Sequence, residues 1–139
     1  MFFRIAIETD LAALAPLFDD YRCCLGQPSN IELSQQFIAA RLAENDSVIL
    51  LCLMQESPVG FIQLYPSFSS LLLKPLWYFD DLYVSPEFRG QGIAKQLIAK
   101  AKELADETQV LAVRRDKLAS PGFLPIEVDY LDGVMCVSP

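Results

Sequence analysis

Arg89-Gly90-Gln91-Gly92-Ile93-Ala94 follows an apolar strand that ends at Val84, and it opens an amphipathic helix. A glycine-rich turn between strand and helix aims bare backbone N–H groups at one point, where the helix adds about half a unit of positive charge. The chemistry is anion binding. Gly90 and Gly92 let the backbone approach a diphosphate closely, the N–H groups of residues 90 to 95 can converge on its oxygens, and Arg89 or Lys95 can add a full charge. Just upstream, Asp80 and Asp81 form a carboxylate pair on the strand itself. An alkylammonium with a pKa of roughly 10 must lose a proton before it can attack a carbonyl. A carboxylate, directly or through water, can take that proton, which is worth about 10²–10⁴-fold in rate. Adjacent strand residues face opposite sides of a sheet unless a bulge intervenes, so one of the two is expected in the cleft.

Spacing removes other anion-binding readings. A dinucleotide fingerprint needs a third glycine where Lys95 stands, and a P-loop needs four residues between its glycines followed by Lys-Ser/Thr. The bland alternative is a glycine-rich turn that merely starts a helix. The chain contains no histidine, which excludes a Ser-His-Asp triad, a Cys-His dyad and most zinc chemistry, and no metal is expected. Cys23, Cys24, Cys52 and Cys136 include an adjacent pair and no C-x-x-C. They read as core fillers in a reducing cytosol, not as a zinc site or disulfide framework.

The elements that position these residues fit one domain over residues 1–139, with 53% hydrophobic and 21% charged residues. A formal charge of −7 argues against nucleic-acid binding and mildly favours a cationic substrate. No apolar run reaches the ~18 residues that span a bilayer, so no membrane partner is expected. The N-terminus has no basic segment before an apolar stretch, so the expected location is cytoplasmic.

In order, Phe2 to Ile7 predicts a strand, and Thr9 or Asp10 can cap a helix carrying Leu11, Leu14, Leu17, Phe18, Tyr21 and Leu25, with a kink or late start at Pro16. Ser29 or Asn30 can cap a second helix with Leu33, Phe37, Ile38 and Leu42 on one face. Ser47 to Met54 is a continuous apolar run, as in a buried strand. Val59 to Tyr65 pairs with it as a hairpin, and Gly60 marks a bulge or a close backbone approach. Pro66 to Pro75 predicts a Ser-rich loop with an apolar middle, either a wall of the substrate site or an ordinary loop. Leu76 to Val84 is the strand before the turn, the helix covers 90–107, and Gln109 to Val113 is another strand. Asp132-Gly133 between Ile126–Leu131 and Val134–Val137 predicts a type I′ hairpin. The pattern implies an α+β (mixed α/β) domain with a mixed, mainly antiparallel sheet flanked by helices.

The stretch from Tyr83 to Ala94 closely resembles the acetyl-coenzyme A motif, (Q/R)-x-x-G-x-(G/A), of the GNAT-type N-acetyltransferases. The resemblance extends to most of the chain: Phe3 to Tyr21 is similar to the family's first strand and helix, Val59-Gly60-Phe61 to its third strand, and Gly122-Phe123 to the pair that opens its sixth. It implies a GNAT-like, mostly antiparallel twisted sheet of about six to seven strands. It also implies acetyl-CoA as cosubstrate and transfer of an acetyl group to a primary amine of a small molecule or peptide. Leu82, Tyr83 and Val84 would then offer backbone groups to the pantetheine arm. Arg89, Gly90, Gln91, Gly92, Ile93, Ala94 and Lys95 would hold the pyrophosphate, and a backbone N–H near Leu82 would stabilise the thioester oxyanion. The family's acidic position, four before the strand-ending valine, falls on Asp80, with Asp81 as backup.

One segment departs from the family. A helix bearing a Tyr that protonates the leaving thiolate usually follows the fifth strand, but only Arg115 to Pro121 separates the strand from Gly122 here, too short for loop, helix and loop. No Tyr lies in it; Tyr83 and Tyr130 sit elsewhere. The thiolate would then leave without a dedicated acid, or the chain would be a catalytically weak or inactive coenzyme-binding and protein-interaction module. A missing helix would also expose apolar surface, for which a second copy in a homodimer is the expected cover.

Overall fold

The computed structural model describes residues 1–70 and 73–114, less the side chains of Ser69, Asp80 and 111–114. Five strands, β1 (Phe2–Ile5), β2 (Val48–Met54), β3 (Ser57–Ser69), β4 (Lys74–Val84) and β5 (Leu111–Arg114), form one sheet in that order. The first three pairings are antiparallel and β4–β5 is parallel. Helices α1 (Leu11–Cys24) and α2 (Ile31–Glu44) cover one face and α3 (Ile93–Glu107) the other. The sixth and seventh strands expected from the sequence, the segment 115–121 with the dimer argument built on it, and Tyr130 lie outside the described residues.

The continuous apolar run of β2 follows from burial on both faces. Ile49, Leu51 and Leu53 pack with Leu14, Phe18 and Ile38 beneath α1 and α2, whereas Leu50 and Cys52 pack with Leu97, Ile98 and Ala101 of α3. Cys52 is a core filler as expected, but Cys23 is exposed. No helix among the described residues is long and apolar enough to cross a membrane.

Local signals place the helices. The Asn30 side chain accepts from Leu33 N–H at 3.0 Å, and Asn45 closes α2 at φ 52°. Asp10 serves the chain entry to α1, accepting from Ile7 N–H at 2.7 Å while pairing with Arg4 at 2.7 Å. α1 starts at Leu11 and runs through Pro16.

Three expectations change. The Ser-rich loop at 66–75 is instead an extended hairpin: β3 and β4 stay in register out to Ser69↔Lys74, so cross-strand pairing overrides turn-prone composition. Leu73 at its tip is exposed, and Leu71 and Leu72 lie outside the described residues. Helix α3 begins at Ile93 and not at 90, because Gly90 and Gly92 hold φ of 81° and 78°. Gln109 belongs to the helix exit, not to β5: its φ is 59°, and the following Val110 N–H donates back to Ala105 C=O at 2.8 Å.

Candidate active site

The turn after β4 is built by backbone contacts. Ser85 N–H donates to Val59 C=O at 2.8 Å, and Phe88 N–H closes a short 3₁₀ turn on Ser85 C=O at 2.9 Å. Arg89 folds back on the end of β4. Its Nε–H donates to Val84 C=O at 2.8 Å, and its guanidinium lies 5.5 Å from the centre of the Tyr83 ring. The Nε–H pins the turn to the strand end, and the guanidinium stays beside the turn, its charge in no ion pair with a carboxylate among the described residues. Burial pushes the Tyr83 phenol up, with the field of Asp20 adding to it, so Tyr83 stays neutral.

The first N–H consumed inside α3 is that of Gln96, donated to Gly92 C=O at 3.1 Å. The N–H groups of Gly92 to Lys95 precede it and are the helix's orphan donors. Gly90, Gln91, Gly92 and Lys95 are exposed, whereas Ile93 is 2% exposed and anchors the helix start. Gly60 makes that anchoring feasible. A Cβ there would lie 3.0 Å from Tyr83 O and 3.5 Å from Ile93 Cγ2, so β3 meets β4 and α3 at backbone distance, the close approach expected of that glycine. Leu82 and Val84 are buried in the α3-side core. Only their backbones are available to a ligand.

Upstream, β4 carries one extra residue. Leu64 sits opposite Phe79 and Gln63 opposite Asp81, which leaves Asp80 as the bulge. The bulge resets which face each residue takes: Phe79 and Leu82 both belong to the α3 side, while Tyr83 belongs to the α1/α2 side. Pairing of β4 with β5 extends to Phe79↔Arg114, so among the described residues the Asp81–Val84 stretch is paired only through β3.

Asp81 enters a cleft of about 710 Å³ between α1, α2 and the β3–β4 ladder. Its carboxylate accepts hydrogen bonds from the hydroxyls of Tyr21, at 2.7 Å, and Tyr65. The Tyr65 hydroxyl has a second acceptor, Gln63 Oε1 at 2.9 Å, and the fully buried Gln63 donates in turn to Ser47 Oγ at 3.1 Å. The side chain of Asp80 lies outside the described residues.

Asp19, 2% exposed, ties α1 to the start of α2. It accepts from Ser29 Oγ at 2.6 Å, Asn30 N–H at 2.8 Å and Ser34 Oγ at 2.9 Å, with Arg22 at 3.4 Å. These donors, Ser29 first, hold its carboxyl below the usual range. This clamp sets the cleft wall formed by Arg22 and Ser34.

The model of the acetyltransferase (GNAT) family matches residues 14–124. The chain belongs to that family. An uncharacterized N-acetyltransferase of Bacillus subtilis, YhfO, is 39% identical over 104 residues, 75% of this chain and 70% of that protein. A probable acetyltransferase of Haemophilus influenzae is 34% identical over 105 residues, 75% and 72% of the two chains. A crystal structure of a probable acetyltransferase superposes with a TM-score of 0.77 at 44% identity, covering 82% of this chain and 77% of that one. The fold is also shared with a predicted acetyltransferase from Clostridium acetobutylicum solved with acetyl-CoA, with a TM-score of 0.68 at 18% identity, over 90% and 84% of the two chains.

This GNAT acetyltransferase thus has its glycine turn and its carboxylate cleft at successive points along β4. The sequence reading found the turn, the strand and the acidic pair. It missed Tyr21, Tyr65 and Gln63, which lie 60, 16 and 18 residues from Asp81. A tyrosine on the core face of a helix needs a partner for its hydroxyl. That requirement, applied to Tyr21, is the signal that points to a buried acceptor.

Proposed function

We propose that this acetyltransferase moves an acetyl group from acetyl-CoA to a primary amine by direct attack, with Asp81 as the proton acceptor. The observation that carries the reading is Asp81 itself, a carboxylate presented to an open cleft at the bulge of the strand that leads into the glycine turn. The turn fits the diphosphate of the coenzyme: two positive-φ glycines, four orphan N–H donors, and open space where a Gly92 Cβ would sit. The relative solved with acetyl-CoA supports the same ligand.

When bound, acetyl-CoA supplies a thioester carbonyl activated toward amines. Backbone N–H groups of Gly92, Ile93, Ala94 and Lys95 hold the diphosphate, with the exposed Lys95 side chain adding charge. The backbone of Leu82, Tyr83 and Val84 offers a strand edge to the pantetheine arm, and a donor near Leu82 polarises the carbonyl oxygen; one such donor is worth about 2.7–4 kcal/mol. Asp81, held by Tyr21 and Tyr65, takes the ammonium proton. The amine nitrogen bonds the acetyl carbon, the carbon–sulfur bond breaks, the electron pair leaves with sulfur, and the second proton of the nitrogen passes to the departing thiolate, directly or through water, to give the amide and the free thiol. When Asp81 carries the proton, Tyr65 can redirect its hydroxyl to Gln63 Oε1, which keeps the pair satisfied.

The family's acidic position falls on Asp80, so the two aspartates are the test. Asp81→Asn is expected to lower kcat by about 10²–10⁴-fold while the acetyl-CoA Kd stays within about twofold; Asp80→Asn is expected to retain most activity. The reverse pattern, measured by thiol release and calorimetry, would move the base to Asp80.

A further inference from the structure

We infer that the acceptor of this enzyme is a monocationic amine on an apolar, preferably aromatic, body, and not a polyamine, aminoglycoside or lysine-rich peptide. This rests on the proposed amine acetylation and names its substrate class.

The cleft has a polar end and an apolar mouth. Asp81 marks the inner end, beside the largely buried Tyr21. Leu25, Leu33 and Phe37 line the outer part and are 38%, 56% and 43% exposed. The helical pattern of α2 predicts Leu33 and Phe37 on the same face as Ile38, yet of these three only Ile38 is fully buried. Phe37 instead stacks on Phe18, rings 5.7 Å apart and 11° from parallel, which holds its position in the wall. These side chains leave water only when something apolar enters the cleft.

Charge fixes the valence of that guest. Among the described lining residues Asp81 is the one carboxylate, and Arg22 is a cation on the same wall. Asp19 and Arg22 form an ion pair at 3.4 Å and together add no net charge to the cleft, which leaves the charge of Asp81. A single ammonium can meet Asp81 with its body against Phe37 and Leu33. A second or third ammonium would have no unpaired carboxylate to meet.

Leu33 provides a gain-of-function test. It is the third residue of α2, where a carboxylate suits the helix N-terminus. The Asn30 N–H that such a carboxylate would otherwise cap is already bound to Asp19 at 2.8 Å. Leu33→Glu therefore places a second negative charge at the mouth of the cleft in a position the helix tolerates.

The experiment compares kcat/KM for 2-phenylethylamine, hexylamine, spermidine and kanamycin by thiol release in the wild type, Leu33→Glu and Phe37→Ala, with acetyl-CoA Kd measured separately. The expected wild-type preference for 2-phenylethylamine over spermidine is at least about tenfold. Phe37→Ala should lower kcat/KM for 2-phenylethylamine about tenfold and for spermidine far less. Leu33→Glu should shift the ratio toward spermidine by about threefold to fivefold. All three proteins should bind acetyl-CoA equally. A wild-type preference for spermidine or kanamycin, or a ratio unmoved by both variants, overturns the substrate class. Absence of acetyl-CoA binding in the wild type overturns the donor assignment beneath it, and the Kd measurement separates the two failures.

Discussion

Replacing Gly92 with alanine separates what the turn does for the ligand from what it does for the fold. Gly92 holds φ 78°, where an L-residue costs about 1–2 kcal/mol. A Cβ at Gly92 meets nothing within 4 Å, so no clash adds to that cost. The stiffer unfolded chain of the alanine variant returns about 0.4–1 kcal/mol, leaving a net destabilisation near 1 kcal/mol. The coenzyme should feel more. The added methyl occupies space the diphosphate needs and displaces a charge-assisted backbone bond worth about 1.5–3 kcal/mol, or about 10–150-fold in Kd. Gly60→Ala is the contrasting perturbation, since its Cβ would stand 3.0 Å from Tyr83 O. Overpacking there costs about 1–3 kcal/mol, while affinity falls only as far as the start of α3 shifts. Urea unfolding and calorimetric titration with coenzyme A on both variants give the four numbers. If Gly92→Ala binds coenzyme A within about twofold of wild type while losing about 1 kcal/mol of stability, the diphosphate assignment is wrong.

Acid stability follows from two carboxylates. Asp10, held down first by Arg4, and Asp19, held down first by Ser29, both titrate below the ordinary value of 3.8. A depressed folded-state pKa contributes stability above the unfolded value that is lost as pH falls through the folded one. Unfolding free energy should therefore decline below about pH 4, and Asp19→Asn should be less stable at neutral pH with a shallower acid limb in denaturant melts. Direct attack predicts sequential kinetics and no acetyl-cysteine intermediate; burial pushes the Cys52 thiol up and disfavours its thiolate. An acetylated cysteine trapped by mass spectrometry after incubation with acetyl-CoA alone would count against the scheme.

What the sequence made legible was local. The turn at 89–94, the Asn30 cap, the two-sided apolar run of β2 and the tight role of Gly60 each depend on a few neighbouring residues, and each has its counterpart in the structure. The bulge at Asp80 is a relation between two strands, visible only once Leu64 faces Phe79 and Gln63 faces Asp81. The same holds for the Tyr21–Asp81–Tyr65 cluster, whose members come from α1, β3 and β4. Helical periodicity put Leu33 and Phe37 on one face with Ile38 and registers a face, not what covers it; here part of that face opens on the cleft. The stretch 66–75 reads as a loop by composition and folds as paired strand because each side has a partner across the hairpin.

The most direct test of the central claim is a single reaction: purified protein, acetyl-CoA and a primary amine, with released thiol and acetylated amine quantified together. The account predicts equal amounts of both products, with turnover sharply reduced in Asp81→Asn. Acetyl-CoA binding with no acetylated amine across a broad panel would contradict it and leave a coenzyme-binding module in its place.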